Sequence, residues 1–182
     1  MVRVEDLNIT FFHIPKNAGS SIASWLVRNV NGYEYFDEFR HSTPKSLLPI
    51  FEDFGWSFCC VRNPWERNVS WYNFFKKQGK IKIDFDDYME KLLKGKYSAK
   101  YIKPPSNQAT FCENVDFVLR YENLVEDFKV VQEKTNCSVP LPHKNKSVDF
   151  KYKEYYTKDT WIDYIGNCCR EEIYLLGYNF GE

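Results

Sequence analysis

The sequence predicts an α/β fold, in which a central parallel sheet is flanked by helices in a single-domain, three-layer arrangement. Short apolar runs alternate with segments of helical periodicity, which is typical of this class. Two of the apolar runs lead through a polar junction directly into a helix, as parallel strands do. The chain has 182 residues, 43% of them hydrophobic, which suffices for one core but not for two domains of ordinary size. We therefore expect one domain over residues 1–182.

The individual elements follow from the period of the apolar residues and from turn and cap residues. Strands are expected near residues 8–13, 57–62 and 116–121. Helices are expected near residues 20–30, 44–53, 64–77, 84–94, 122–134 and 158–175. Between Lys94 and Asn107, Gly95, Pro104 and Pro105 interrupt the pattern and predict a loop, either a substrate-facing segment or a plain surface connection.

The first strand continues through a short loop into a helix in the segment Phe11–Ile22, FFHIPKNAGSSI. At such a helix start the unpaired N–H groups of Ser20 and Ser21, the positive end of the helix dipole and the Lys16 ammonium would point toward one spot. Gly19 lets the backbone approach a ligand closely. The segment predicts an anion site, and an ordinary turn with a surface lysine is the alternative. A nucleotide loop would end Gly-Lys-Ser/Thr, so metal-dependent phosphoryl transfer is disfavoured.

A second junction lies in the segment Trp56–Phe75, WSFCCVRNPWERNVSWYNFF. Asn63 is a good N-cap and Pro64 suits the first helical position. Arg62 at the strand end and Ser70 two turns into the helix would offer N–H donors and a hydroxyl to a second phosphate. The alternatives are an ordinary ion pair for Arg62 and a solvated surface position for Ser70. Open α/β sheets bind ligands at the carboxyl ends of their strands, so one ligand with two separated phosphates would explain both junctions.

The motifs HIPKNAGSS and VRNPWERNVSWY resemble the 5′-phosphosulfate loop and the 3′-phosphate segment of sulfotransferases that use 3′-phosphoadenylyl sulfate (PAPS). The His-Ile-Pro-Lys motif is similar to that of a subgroup with many carbohydrate sulfotransferases. The resemblance implies a P-loop-like fold, PAPS as donor and adenosine 3′,5′-bisphosphate (PAP) as product. Asn17 and Ser20 stand where the family usually has Thr. Further similar segments are RHSTPKSL, VDFVLRYENLVEDF, LPHKNKS, YKEYYT and LGYNF.

The resemblance also implies a set of donor-binding residues in the first loop, the second junction and a later polar cluster. Lys16 is expected to stabilise the charge that grows on the departing phosphate, and a lysine that only binds phosphate is the alternative. The later polar cluster consists of Lys144, Lys146 and Ser147, which follow His143, and a charged surface turn is the alternative interpretation of it. The expected donor-binding residues are Lys16, Asn17, Ala18, Gly19, Ser20, Ser21, Arg62, Ser70, Lys144, Lys146 and Ser147.

His41 is the expected general base, because imidazole titrates near neutral pH and relatives place a catalytic histidine after the first helix. The other two histidines are His13, expected to be structural, and His143, beside the later polar cluster. The alternative for His41 is a solvated residue that precedes a helix start at Ser42–Pro44.

Composition limits the other classes of function. Lys and Arg together number 25, as do Asp and Glu, so we expect no general binding to nucleic acid or anionic membranes. No apolar run is long enough for a membrane span and the N-terminus is charged, so a soluble cytoplasmic protein is expected, with a Golgi-lumenal catalytic fragment as the alternative. The six cysteines show no C-x-x-C spacing, so no metal site is expected. They are expected to be reduced, with a Cys112–Cys137 bridge as the alternative.

These observations predict a sulfotransferase that moves the sulfuryl group of PAPS to an acceptor hydroxyl by metal-independent in-line attack. A carbohydrate acceptor is implied by the resemblance alone. The alternatives are an inactive module that binds PAPS or PAP, and a sulfotransferase that acts on a tyrosine or a small-molecule hydroxyl. A nucleotide kinase is disfavoured by the missing Gly-Lys-Ser/Thr ending.

Overall fold

The computed structural model of the protein describes residues 1–96, 101–142 and 151–182. The chain divides into two units. We call Met1–Arg62 with Gln108–Lys146 the sheet unit, and Asn63–Asn107 with Ser147–Glu182 the helical unit. The expectation of one domain over residues 1–182 stays a prediction.

The sheet unit contains a five-stranded mixed sheet in the order β3-β1-β2-β4-β5. Strands β2, β4 and β5 are parallel neighbours, whereas β1 pairs antiparallel with both β2 and β3. The prediction of a parallel sheet is therefore correct for the three predicted strands, and β1 and β3 were missed because three residues are too few to show a period. The strands are β1 Val2–Val4, β2 Ile9–Phe12, β3 Tyr33–Tyr35, β4 Trp56–Val61 and β5 Phe117–Arg120.

Helices cover both faces of this sheet, which confirms the α/β class. Helices α1 (Gly19–Asn29) and α6 (Leu124–Lys134) close one face, where Trp25 meets Phe128 edge-on with ring centroids 4.9 Å apart. Burial of such large aromatic side chains stabilises this face of the sheet. On the other face α5 packs on β4, where Cys59 contacts Cys112, and α2 packs on α5. The bounds of these short helices are Pro44–Leu47 for α2 and Ala109–Cys112 for α5.

The helix predicted over residues 44–53 ends at Leu47. Pro49 explains this early end, since proline lacks an N–H group and disfavours helical geometry at the residue before it.

The helical unit is built around an aromatic core in which Tyr72 contacts Phe85 and Tyr88 with ring centroids 5.2 and 5.3 Å apart. The helix predicted over residues 158–175 is divided in two at Cys169, after a run of poor helix formers. Within the described ranges, none of the helices combines the length and the apolar character that a membrane span requires. The helices of this unit are α3 Pro64–Lys77, α4 Phe85–Leu93, α7 Asp159–Cys168 and α8 Arg170–Leu176.

All six cysteines are free, so the alternative bridge between Cys112 and Cys137 is absent. The Cys112 sulfur lies 3.8 Å from that of Cys59 instead. The hydrogen bond with the Cys112 thiol, followed by burial, raises the pKa of Cys59, which keeps it protonated as a core residue.

Candidate functional site

The loop between β2 and α1 has an unusual backbone. Lys16 and Ala18 have φ values of 72° and 56°, a left-handed conformation that non-glycine residues seldom adopt. Alternation of left-handed residues with others turns successive N–H groups toward one concave side, which suits an anion. Backbone strain of this kind costs on the order of 1 to 3 kcal/mol per residue and is concentrated at functional sites.

Helix α1 begins at this loop without help from a side chain. Its N-cap is Ala18, which has no side-chain oxygen to accept an N–H bond. The first N–H groups of the helix, those of Gly19 and Ser20, precede the first intrahelical bonds. The expectation that the Ser21 N–H is unpaired is wrong, since it donates to the Ala18 carbonyl at 2.8 Å. Of the first N–H groups of the helix, those of Gly19 and Ser20 are therefore the ones that an anion could accept.

His13 lies at the end of β2 and is packed against Gly19. A Cβ atom at Gly19 would lie 1.9 Å from Cδ2 of His13, so the ring contact alone requires glycine there. His13 is only 5% exposed, and burial, followed by the nearby His41 and Arg40, lowers its pKa to about 3. The ring is thus neutral near physiological pH and a weak base.

His41, in contrast, is exposed and lies next to His13. Its Nδ1 atom is 3.0 Å from the backbone carbonyl oxygen of His13, and the two rings are 4.9 Å apart. A carbonyl oxygen can only accept, so Nδ1 carries the proton. In the neutral ring Nε2 is then the nitrogen that can take a proton, as a general base must.

Arg62 and Lys16 are brought together. Arg62 is 3% exposed, and its Nη1 atom donates to the Lys16 carbonyl at 3.2 Å. The guanidinium also stacks on the ring of Tyr121 at 3.8 Å, a contact that the sequence did not indicate. Burial, and secondly the charge of Arg62, lowers the pKa of Lys16 to about 8. Two cations held this close repel each other, and an anion bound between them would relieve the repulsion.

Asn17 and Gln108 connect the loop to the end of β4. The buried Asn17 amide donates to the Cys60 carbonyl at 2.8 Å and to Oε1 of Gln108. Gln108 in turn bonds the backbone of Arg62. The side-chain N–H groups of Asn17 are thus used within the protein. Gln108 was missed because no local pattern distinguishes it from any other polar loop residue.

The second junction continues into the helical unit. Asn63 caps α3, and its Oδ1 accepts from the N–H groups of Trp65 at 3.1 Å and Glu66 at 3.4 Å. Pro64 at the first position lacks an N–H group. Ser70 is buried within α3. The start of this helix is therefore satisfied by its own cap.

Two further predicted site residues, Ser20 and Ser21, lie in the first turn of α1. Ser20 is exposed and Ser21 is buried on α1. Lys144, Lys146 and Ser147, together with His143, lie outside the described residues.

Comparison with known proteins places the chain in a family. Residues 1–168 match the model of the sulfotransferase family. An uncharacterized protein of Archaeoglobus fulgidus is 27% identical over 135 residues, which cover 72% of this chain and 97% of that protein. Comparison with solved structures gives no match. The matched segment includes both strand-to-helix junctions, and the chain belongs to the sulfotransferase family.

Proposed function

We propose that the protein transfers the sulfuryl group of PAPS to a hydroxyl group of an acceptor and releases PAP. The observation that carries this proposal is the convergence of Lys16 and Arg62. They come from the ends of neighbouring parallel strands, and Nη1 of Arg62 lies 3.2 Å from the Lys16 carbonyl. A nucleotide with phosphates at both ends of its ribose supplies the charge that two such cations require.

The left-handed loop supports donor binding at the 5′ side. Its backbone N–H groups and the Lys16 ammonium would bind the 5′-phosphate, and the Arg62 guanidinium would bind the 3′-phosphate. From the family resemblance we assign further donor contacts to the residues around them. These are Asn17, Ala18, Gly19, Ser20, Ser21 and Ser70, with Lys144, Lys146 and Ser147 outside the described residues.

The transfer itself is proposed as an in-line displacement at sulfur. The acceptor oxygen forms a bond to sulfur while the bond from sulfur to the 5′-phosphate oxygen breaks. Nε2 of His41 takes the hydroxyl proton, and Lys16 stabilises the negative charge that the phosphate gains. His13 is a poor candidate for the base because burial lowers its pKa to about 3. Lys16 supplies the compensating charge, so the proposed step uses no metal ion.

A carbohydrate is the acceptor that we propose, on the basis of the His-Ile-Pro-Lys motif at residues 13–16. A tyrosine or a small-molecule hydroxyl would undergo the same chemistry. The acceptor class is therefore a separate question from the reaction.

Labelled PAPS tests the reaction, with pooled glycans, phenols and peptides as acceptors. We expect label in one acceptor pool and an equal amount of released PAP. Calorimetry with PAP and with ATP plus magnesium is the companion measurement. Tight PAP binding without transfer to any pool would identify a binding module, and preference for ATP with magnesium would indicate a nucleotide kinase.

A further inference from the structure

We infer that Gln108 is a positioning residue that holds the Lys16 loop and Arg62 at a set separation, so that both ends of one nucleotide are bound together. This inference rests on the proposed function.

Gln108 bonds both polar groups of the Arg62 backbone. Its Nε2 donates to the Arg62 carbonyl at 2.8 Å, and its Oε1 accepts the Arg62 N–H at 3.0 Å. Arg62 directly follows Val61, the last residue of β4, which pairs with Arg120 at the end of β5. The side-chain amide therefore continues the hydrogen bonding of a neighbouring strand one residue past the point where the ladder ends.

The same oxygen of Gln108 also bonds the loop. Oε1 accepts from Nδ2 of Asn17 at 2.5 Å. Asn17 lies between Lys16 and Ala18, the two left-handed residues, so this bond restrains the strained part of the loop. One carbonyl oxygen thus receives one N–H from each of the two segments that carry the cations.

The chemistry of the site favours glutamine. The side chain is 0% exposed, so every polar group that it leaves without a partner costs free energy. The amide oxygen has two lone pairs for two donors, and the amide nitrogen supplies the proton that the Arg62 carbonyl accepts. A carboxylate would keep the two acceptor contacts but lose the donor. An apolar side chain would lose all three bonds.

In the proposed site, the bonds of Gln108 would hold the loop near Arg62 before the nucleotide binds. Lys16 and Arg62 repel each other when the nucleotide is absent, and burial, followed by the charge of Arg62, lowers the pKa of Lys16. Without a restraint the loop would move away from Arg62, and binding would then have to reorder it. Restraint before binding lowers that cost and increases affinity.

The test compares Gln108→Met with Gln132→Met. Gln132 also bonds a backbone carbonyl, that of Val139 at 2.8 Å, but on α6. Hydrogen exchange of the free protein reads out the restraint. We expect Gln108→Met to speed exchange in peptides that cover residues 14–21 and 58–63, and Gln132→Met to leave both unchanged. Unchanged exchange in both peptides of Gln108→Met would overturn the inference.

Binding of PAP supplies the second readout. Gln108→Met is expected to raise the Kd for PAP by about tenfold to a hundredfold, since a buried hydrogen-bonding group loses its partners. In the double variant with Arg62→Ala, the Kd for PAP should rise by less than the product of the two single-variant increases, because Gln108 acts through Arg62. Full multiplication would show that Gln108 has only a general structural role.

The two proposals fail in different ways. If the parent protein binds no PAP, the proposed function is wrong, and the exchange data alone decide the role of Gln108. If Gln108→Met does not fold, Gln108→Glu replaces it, and only the bond donated to the Arg62 carbonyl is then lost. This variant should speed exchange near Arg62 while the loop stays protected, and equal protection of both segments would contradict the inference.

Discussion

The two helices that follow neighbouring parallel strands begin in opposite ways. Helix α1 starts at Ala18, whose φ is 56° and whose side chain caps nothing. Helix α3 starts at Asn63, whose side chain accepts two backbone N–H bonds, and continues with Pro64. The succession of strand, loop and helix is the same at both junctions.

The difference indicates which atoms each junction can offer to an anion. At α1 the helix dipole and the first N–H groups are available, and they are supplemented by Lys16. At α3 the corresponding groups are used by the cap or absent, so this junction contributes the Arg62 side chain at the end of β4. Under the proposed function, the first junction would bind phosphate mainly through its backbone and the second through a side chain.

The largest effect should come from His41, which belongs to the first junction through its bond to His13. His41→Ala should lower turnover by about two to four orders of magnitude, because the acceptor proton loses its base. The affinity for PAP should change little, as measured by calorimetry alongside steady-state kinetics. His13→Gln is the comparison variant, and a loss of turnover in that variant without one in His41→Ala would exchange the roles of the two histidines.

Removal of the side-chain contribution at the second junction is expected to have the next largest effect. Arg62→Ala should raise the Kd for PAP by about tenfold to a hundredfold, the value of a charge-assisted contact. Turnover at saturating PAPS should fall much less. Arg120→Ala is the matched control, since Arg120 ends the adjacent parallel strand β5 and is exposed. Equal PAP affinities in Arg62→Ala and the parent would remove Arg62 from the site.

The first junction should show a pH dependence of its own. Lys16 is an ammonium below its pKa of about 8, and bound phosphate favours that charged form. Above about pH 8 the amine must take up a proton on binding, so the affinity for PAP should fall by up to about tenfold per pH unit. Calorimetry from pH 6.5 to 9.5 measures this slope. Lys16→Arg stays charged and should flatten it, and an equally steep slope in that variant would assign the titration to another group.

The smallest effect on PAP affinity is expected from removal of the Asn63 cap. Asn63→Ala should lower the free energy of unfolding by about 1 to 2 kcal/mol, the cost of losing an N-cap side chain. PAP affinity should stay within about twofold of the parent, since the cap keeps these N–H groups away from the ligand. Urea denaturation and calorimetry give the two values. A large loss of affinity at constant stability would mean that α3 does offer its N-terminus to the nucleotide.

Much of the fold follows from local signals. The apolar runs that form β2, β4 and β5 were recognisable because buried parallel strands are almost entirely apolar. Asn63 and Pro64 marked the start of α3 for a similar reason, since a cap acts on residues two and three positions away. The family match over residues 1–168 agrees with the fold class that these signals predicted.

Other features have no local signal. β1 and β3 have three residues each, and they are strands only because an antiparallel partner lies beside them. Gln108 is 46 residues from Arg62 and 91 from Asn17, and no periodicity relates such distant positions. The sequence predicts the short helix α2 too long, because Pro49 ends it before the apolar pattern ends.

By itself the sequence determined the order of the three parallel strands and of the longer helices, the family and the two cations that we place at the donor, because strand runs, loop residues and caps act over a few positions. Only the tertiary structure decided that His13 is buried and neutral while His41 is exposed, that Asn17 is used internally, and that Gln108 bonds both Arg62 and the loop. The reason is that burial and hydrogen-bond partners depend on residues that are distant in the chain and become neighbours when the sheet forms.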